Sequence, residues 1–393
     1  MDKRSVRDLD VRGKKVLVRV DFNVPVKDGE VTDDTRIRRA LPTIRHLLSE
    51  GARPALISHL GRPKGEPDPK YAMDPVATRL EELLGGHVKK LDTAVGPEVG
   101  EALDGLDGGV VLLENSRFYP GETENDAGFA GELAAPFEAY VNDAFGAAHR
   151  AHATTVGVAE RLPTAAGLLM EAEIDYLDGV LRDPERPFVA ILGGAKVSDK
   201  LGVIESLLGV ADSLLIGGAM CFTFFRAQGY EIGNSLVEDD YLEEAKRLMQ
   251  EAGDRLVLPV DVVVADAIEE GSETQTVRVS GGIPSGKMGL DIGPESVDLF
   301  RGRISDARTI FWNGPMGVFE VDAFARGTEG VAGAVAEASD GGATSVIGGG
   351  DSVAAVNKLG LDDRMGHIST GGGASLEYVE GKELPGVAVL PDK

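Results

Sequence analysis

The sequence predicts an α/β protein built as two doubly wound parallel-sheet (Rossmann-like) domains joined by a hinge helix. Three observations carry that prediction. Short apolar runs alternate with helix-length amphipathic segments, a pattern that builds parallel sheets covered on both faces. The length, 393 residues, exceeds what one hydrophobic core usually serves. The two halves also differ in charge: residues 1–170 carry 22 basic against 27 acidic side chains, and the remainder carries 18 against 38.

In chain order, VLVRV (16–20) reads as the first strand, and TRIRRALPTIRHLLSEG after it has helical spacing and a closing glycine. PALIS (54–58), VVLL (110–113) and AYVND (139–143) continue the series. The segment LLMEAEIDYLDGVLRDPERPF (168–188) opens as an amphipathic helix and ends in a Pro-punctuated acidic turn. It places an N-terminal domain at 1–168, a hinge helix at 169–186 and a C-terminal domain at 187–375. The second series is PFVAIL (187–192), DSLLIGG (212–218), RLVLPVDVVVAD (255–266), RTIFWNG (308–314) and TSVIGGG (344–350). No repeat relates the two halves.

Composition narrows the function. The start, MDKRSVRDLD, lacks the apolar core of a signal peptide, and SLLIGGAMCFTFF is too short to span a bilayer. A soluble, cytoplasmic protein is expected. The lone Cys221 excludes an internal disulfide and reads as a buried, inert thiol. A net charge of −25 argues against nucleic acid and anionic membranes as partners. Fifteen Lys against 25 Arg, under an acidic coat, suggest a protein kept soluble in high salt.

In open α/β sheets ligands bind beyond the carboxyl ends of the strands. The first-half strands are followed by DFNVP, HLGRP, ENSRF and AFGAAHRAH. Asp21 and Asn23 read either as an Asx turn or as groups that fix hydroxyls. Arg36, Arg62, Arg117 and Arg150 each sit close behind a strand or at a helix start, with His59 beside them. One such arginine is ordinarily a surface charge. Four in one domain suit a phosphate or carboxylate, which accepts the two parallel bonds of a guanidinium. No metal-ligand spacing accompanies the histidines.

The second-half strands end in glycine: GGAKVSDK, GGAM, WNGPMGVFE, GGGDS and, near the tail, STGGGASLE. Glycines between strand and helix let backbone N–H groups approach phosphate. ILGGAKVSDK does not fit a Walker loop, and its spacing predicts Lys196 and Lys200 one turn apart on a helix. Asp351 suits the Mg²⁺ of a nucleotide, and Leu290, Pro315 and Val318 could line a base slot. Phosphoryl transfer between a nucleotide and a small anion fits both halves. A nicotinamide-dependent dehydrogenase would need G-x-G-x-x-G after a strand, which the Gly runs do not supply. A non-catalytic sugar-phosphate receptor would not need the nucleotide residues.

RVDFNVP, SHLGRP, LLENSRF, DAFGAAHRAH, GGAKVSDK, MGLDIGPES, FWNGPMGVFE, GGGDS and STGGGASLE occur in this order. Together they resemble the phosphoglycerate kinase family over nearly the whole chain. The resemblance implies reversible transfer from 1,3-bisphosphoglycerate to MgADP, giving 3-phosphoglycerate and MgATP, by a monomer, and an archaeal, salt-adapted member of the family is expected. It implies that Asp21, Phe22, Asn23, Arg36, His59, Leu60, Gly61, Arg62, Arg117 and Arg150 bind the glycerate. Gly193, Lys200, Gly217, Gly289, Asn313, Glu320, Gly348, Gly349, Gly350, Asp351 and Ser352 would bind the nucleotide, with Asp351 on its Mg²⁺. Arg36, Lys196, Gly350 and Gly373 would serve the transferring group once the domains close. The attacking carboxylate is already ionised, so no general base is needed. The tail, about 376–393, is expected to pack back on the first domain. Ser352 stands where the family usually has Thr, and Lys287 where an aromatic residue is common, which touches base preference.

Overall fold

The computed structural model describes residues 2–393. It divides into two compact units, one running to Asp175 and taking back Glu383–Lys393, the other Tyr176–Lys382. The connecting helix spans Leu168–Leu181, so the division falls inside it.

The first unit is built on six parallel strands in the order Val88–Lys90, Val110–Leu112, Arg53–Ile57, Lys15–Arg19, Ala139–Asn142, Thr164–Ala166. The apolar residues alternate between its two faces. Val16, Val18, Leu56, Val110 and Leu112 join the core under helix Thr35–Ser49. Leu17, Ala55, Ile57 and Val111 join a second core with Val99, Leu103 and Leu133 on the other face. A strand that is apolar at consecutive positions therefore feeds two cores, as a doubly wound sheet requires. Chain order reverses across Lys15–Arg19, leaving a crevice beside its carboxyl end. A hairpin, Val26–Lys27 with Glu30–Val31, turns on Asp28 and Gly29, both at positive φ.

The returning segment is pinned to this unit. Gly386 N–H donates to Ala148 O at 2.8 Å, and Asn142 Nδ2 donates to Gly386 O at 3.1 Å. Lys3 Nζ reaches Leu390 O and the Asp392 carboxylate, each at 2.8 Å.

The second unit has its own six-stranded parallel sheet, ordered Leu256–Val257, Ser213–Ile216, Phe188–Leu192, Thr309–Asn313, Thr344–Gly348, His367–Ile368. Its order reverses between Phe188–Leu192 and Thr309–Asn313. The single strand expected over 255–266 is two. Pro259 has no N–H to donate and ends the first piece. Asp261–Ala265 then leaves for a three-stranded antiparallel sheet with Gln275–Arg278 and Met288–Ile292. The Asp261 carboxylate anchors that departure by accepting the N–H groups of Glu295 (3.1 Å) and Ser296 (2.8 Å). Among the described residues no helix is long and apolar enough to cross a membrane.

Candidate functional site

The first unit gathers its cations around the crevice. Phe22 is buried, and its N–H donates to Ser58 Oγ at 2.8 Å. Behind that anchor Asp21 Oδ2 takes Arg36 Nη1 at 2.8 Å, and Asn23 Oδ1 takes the Gly61 N–H at 2.9 Å. Arg117 Nη1 donates to Gly61 O at 2.7 Å, while its Nε is buried with no hydrogen-bond partner. Arg62 and Arg150 are exposed, and Arg150 Nε meets His149 Nε2 at 3.0 Å. Leu60 is buried, so it presents backbone rather than side chain.

Sequence reasoning passed over Arg19. It is the second-largest fully buried side chain and bonds Thr154 Oγ1 at 2.9 Å and His59 Nδ1 at 3.0 Å. The signal was present: one arginine inside an otherwise apolar strand of a parallel sheet. Because Arg19 donates to Nδ1, the His59 proton sits on Nε2. Burial, then the neighbouring Arg19, Arg117 and Arg36, hold His59 well below the usual imidazole range. Burial, then Arg19, Arg117 and Arg150, bring His152 down to about 4. Burial first and Arg150 and Arg19 next lower the affinity of Arg117 for its proton. A deep counter-charge is Glu122, fully buried, whose oxygens accept from Thr154 Oγ1 (2.6 Å), Thr154 N–H (3.0 Å) and Ser116 Oγ (3.2 Å). The crowded cations make a cup suited to an anion of more than one charge.

In the second unit the strand ends meet so closely that only glycine fits. A Cβ on Gly193 would lie 2.0 Å from Pro315 O, and one on Gly217 would lie 2.4 Å from Met316 Sδ. Gly349, at φ +86°, caps helix Gly350–Lys358. Lys200 Nζ donates to Asn313 Oδ1, and Asn313 Nδ2 is buried without a partner beside Gly349. Burial lowers the Lys200 ammonium, with Asp199 and Asp351 opposing. Gly372, at φ +55°, precedes helix Gly373–Val379.

One expectation is corrected. Lys196 and Lys200 do not share a helix, which begins only at Leu201. Ser198 N–H and Oγ are both drawn to the Glu238 carboxylate, at 3.0 and 2.6 Å, so 195–200 runs as a turn with Lys196 exposed. Ser352 is fully buried, and its Oγ accepts the Gly314 N–H at 2.5 Å, so its hydroxyl ties two loops together.

Beside this cradle lies a cavity of about 520 Å³. Gly289, Leu290, Pro315, Val318, Glu320 and Asp351 line it; Lys200, Asn313 and Gly348 stand outside it. Phe222, Leu236 and Ile268 complete its apolar wall and were missed. Leu236 and Ile268 are 50% and 53% exposed, unusual for large apolar side chains, but nothing in a loop sequence marks them. Asp291 fixes the far wall: it accepts from Gly327 N–H (2.6 Å) and Ile292 N–H (2.9 Å), and burial pushes its carboxyl up to about 8. Lys287 is held by Asp266 at 2.9 Å. Cys221 is buried, which raises its thiol pKa.

One unit thus offers an anion cup, the other a glycine-rich cradle with an apolar slot. That equipment defines a phosphotransferase acting between a nucleotide and a small anionic acceptor. The sequence model of phosphoglycerate kinase matches residues 6–382. A phosphoglycerate kinase of Rubrobacter xylanophilus is 80% identical over 393 residues, covering 100% of this chain and 99% of the relative. One of Thermosipho africanus is 56% identical over 397 residues, covering 100% and 99%. The structure of phosphoglycerate kinase from Coxiella burnetii superposes with a TM-score of 0.89 at 39% identity, covering 98% of both chains. That from Pyrococcus horikoshii gives 0.84 at 34%, again covering 98% of both. The chain belongs to the phosphoglycerate kinase family, the glycolytic phosphotransferases that pass a phosphoryl group between 1,3-bisphosphoglycerate and ADP. Both sequence relatives are bacterial, which gives no support to the archaeal, salt-adapted source expected with the resemblance.

Proposed function

We propose that the cup of the first unit binds 3-phosphoglycerate and 1,3-bisphosphoglycerate, and that the cradle of the second binds ADP and ATP as their magnesium complexes. The observation that carries this reading is the crowding of Arg19, Arg36, Arg117 and two neutral histidines around one crevice. A multiply charged anion relieves that repulsion, whereas a neutral ligand would not. His59 offers its Nε2–H, and Arg62 and Arg150 supply exposed guanidinium groups. Asp21 and Asn23 accept from hydroxyls.

On the nucleotide side, Lys200 and the N–H groups of Gly348–Gly350 meet phosphate, the apolar slot takes the base and Glu320 the ribose. Asp351 is an exposed carboxylate on the slot wall, in the first turn of its helix, which fits a cation arriving on the phosphates. Mg²⁺ there supplies charge neutralisation. The acceptor carboxylate attacks as an anion, so positioning and neutralisation by Arg36 and Lys196 carry the rate, with no proton to remove. Transfer requires acceptor and donor to meet with water excluded, so the two units must close during turnover.

We further infer a monomeric, cytoplasmic enzyme whose acidic surface maintains solubility at high salt. A coupled assay with 3-phosphoglycerate and MgATP, run across a potassium chloride series, tests the whole reading. Activity dependent on both substrates supports it, and absence of 3-phosphoglycerate-dependent ATP consumption ends it. A monotonic fall with salt removes the salt adaptation alone.

A further inference from the structure

The cup is assembled from loops that leave different strands. His59, Leu60, Gly61 and Arg62 follow Arg53–Ile57, and Arg117 follows Val110–Leu112. The strands are neighbours, and beyond their ladder the backbones meet once more, Ser116 N–H donating to Ser58 O at 3.0 Å. Past that bond the loops are tied by one side chain, Asn115, which is fully buried.

Its amide uses every hydrogen-bonding position it has. Oδ1 accepts the N–H of Leu60 at 3.2 Å and of Arg117 at 3.0 Å. Nδ2 donates to Leu60 O at 2.7 Å and to Tyr71 O at 2.9 Å. Leu60 is therefore clasped through both its N–H and its C=O, as a strand neighbour would clasp it. Arg117 closes the frame through Nη1 to Gly61 O at 2.7 Å. The Gly61 N–H continues it to Asn23 Oδ1 at 2.9 Å.

The clasp is itself held from below. Glu114, 5% exposed, accepts the N–H groups of Asn115 at 2.7 Å and Met73 at 3.0 Å on Oε1. Its Oε2 meets Lys90 Nζ at 2.8 Å, and the same ammonium meets Asp74 and Asp92 at 3.0 and 2.7 Å. A continuous chain of bonds thus runs from Lys90 at the sheet edge to Asn23 in the cup. A buried amide with four bonds is costly to misplace, since each lost partner leaves a dry polar group.

We propose that Asn115 is a positioning residue for the acceptor site: it fixes the spacing of the His59–Arg62 loop against Arg117, and Glu114 with Lys90 anchors it. The proposal rests on the cup being the 3-phosphoglycerate site. Arg117 must meet its anion at a set distance from His59 and Arg62, and misplacement by about 1 Å is costly for such groups.

The test compares wild type with Asn115→Ala and Glu114→Gln, each checked for native circular dichroism and assayed well below its own unfolding temperature. Steady-state KM is measured separately for 3-phosphoglycerate and for MgATP. Asn115→Ala is expected to raise the 3-phosphoglycerate KM roughly tenfold while the MgATP KM stays within about twofold. Glu114→Gln keeps the volume and one acceptor oxygen but weakens the Lys90 contact, and should shift the same constant by roughly threefold. It decides the matter if Asn115→Ala does not fold. A general loss of structure would move both constants or only kcat. Folded variants whose 3-phosphoglycerate KM stays at the wild-type value, or whose two KM values rise together, overturn the proposal. If wild type itself shows no 3-phosphoglycerate dependence, the site assignment has failed instead.

Discussion

Acid should loosen the first unit through His152. This ring is 8% exposed, and burial followed by Arg19, Arg117 and Arg150 lowers it from 6.5 to about 4. Glu122 Oε1 lies 3.9 Å from Nδ1 and would favour the charged ring. It loses because its oxygens are already engaged by Thr154 and Ser116, and because the arginines outnumber it. The native state therefore refuses a proton that the unfolded chain accepts. Stability from this group is complete above pH 6.5, declines as pH falls, and is gone below pH 4. At about 1.4 kcal/mol per pH unit the loss is about 2 kcal/mol by pH 5 and about 3 kcal/mol by pH 4. The assay is urea unfolding followed by circular dichroism at pH 7, 6, 5 and 4.5, for wild type and His152→Gln. The variant cannot titrate at this position, so its free energy should fall less steeply by that amount. Parallel curves across the window would mean that His152 is protonated in the native cup, and the electrostatic account of the cup would be wrong.

Three further outcomes follow from the geometry. Lys196→Ala should lower kcat roughly 100-fold or more with the MgATP KM little changed, because an exposed lysine beside the glycine turn acts on developing charge; a change confined to KM would make it a binding residue. Gly193→Ala places its Cβ against the backbone carbonyl of Pro315 and should cost about 3 kcal/mol in urea unfolding while raising the MgATP KM; unaltered stability would contradict the close approach of the two strand ends. Cys221 should resist iodoacetamide at pH 8 in the native protein and label readily in urea, since burial holds it as a thiol; prompt labelling of the native chain refutes that.

Much of the architecture was legible because a parallel strand covered on both faces must be apolar at consecutive positions. VLVRV, VVLL and PFVAIL announce themselves for that reason. Val88–Lys90 and Thr164–Ala166 do not, being three-residue edge strands, the first carrying two lysines and the second buried but built of small side chains. The run 255–266 misled because apolar content cannot say which sheet a strand joins; Pro259 and the Asp261 anchor decide that. The cup's outer cations were visible as arginines behind strands, and Arg19 left a signal as the lone charge in an apolar strand, but Asn115 left none. It acts by bonds to Leu60 and Tyr71, distant in sequence, which no local spacing encodes. The lysine pair failed for a similar reason: Glu238, 40 positions from Ser198, unwinds the turn on which a helix was expected.

The return of Glu383–Lys393 to the first unit sets an order on the ribosome. The amino-terminal sheet can form while the rest of the chain is still being made, as leading domains generally do. Yet Asn142 and Ala148 wait for Gly386, and Lys3 for Leu390, until all of Tyr176–Lys382 has emerged. A stalled or clipped product would therefore carry a finished second unit and an unlatched first unit, a damage pattern that quality control would meet as exposed backbone at 142–148.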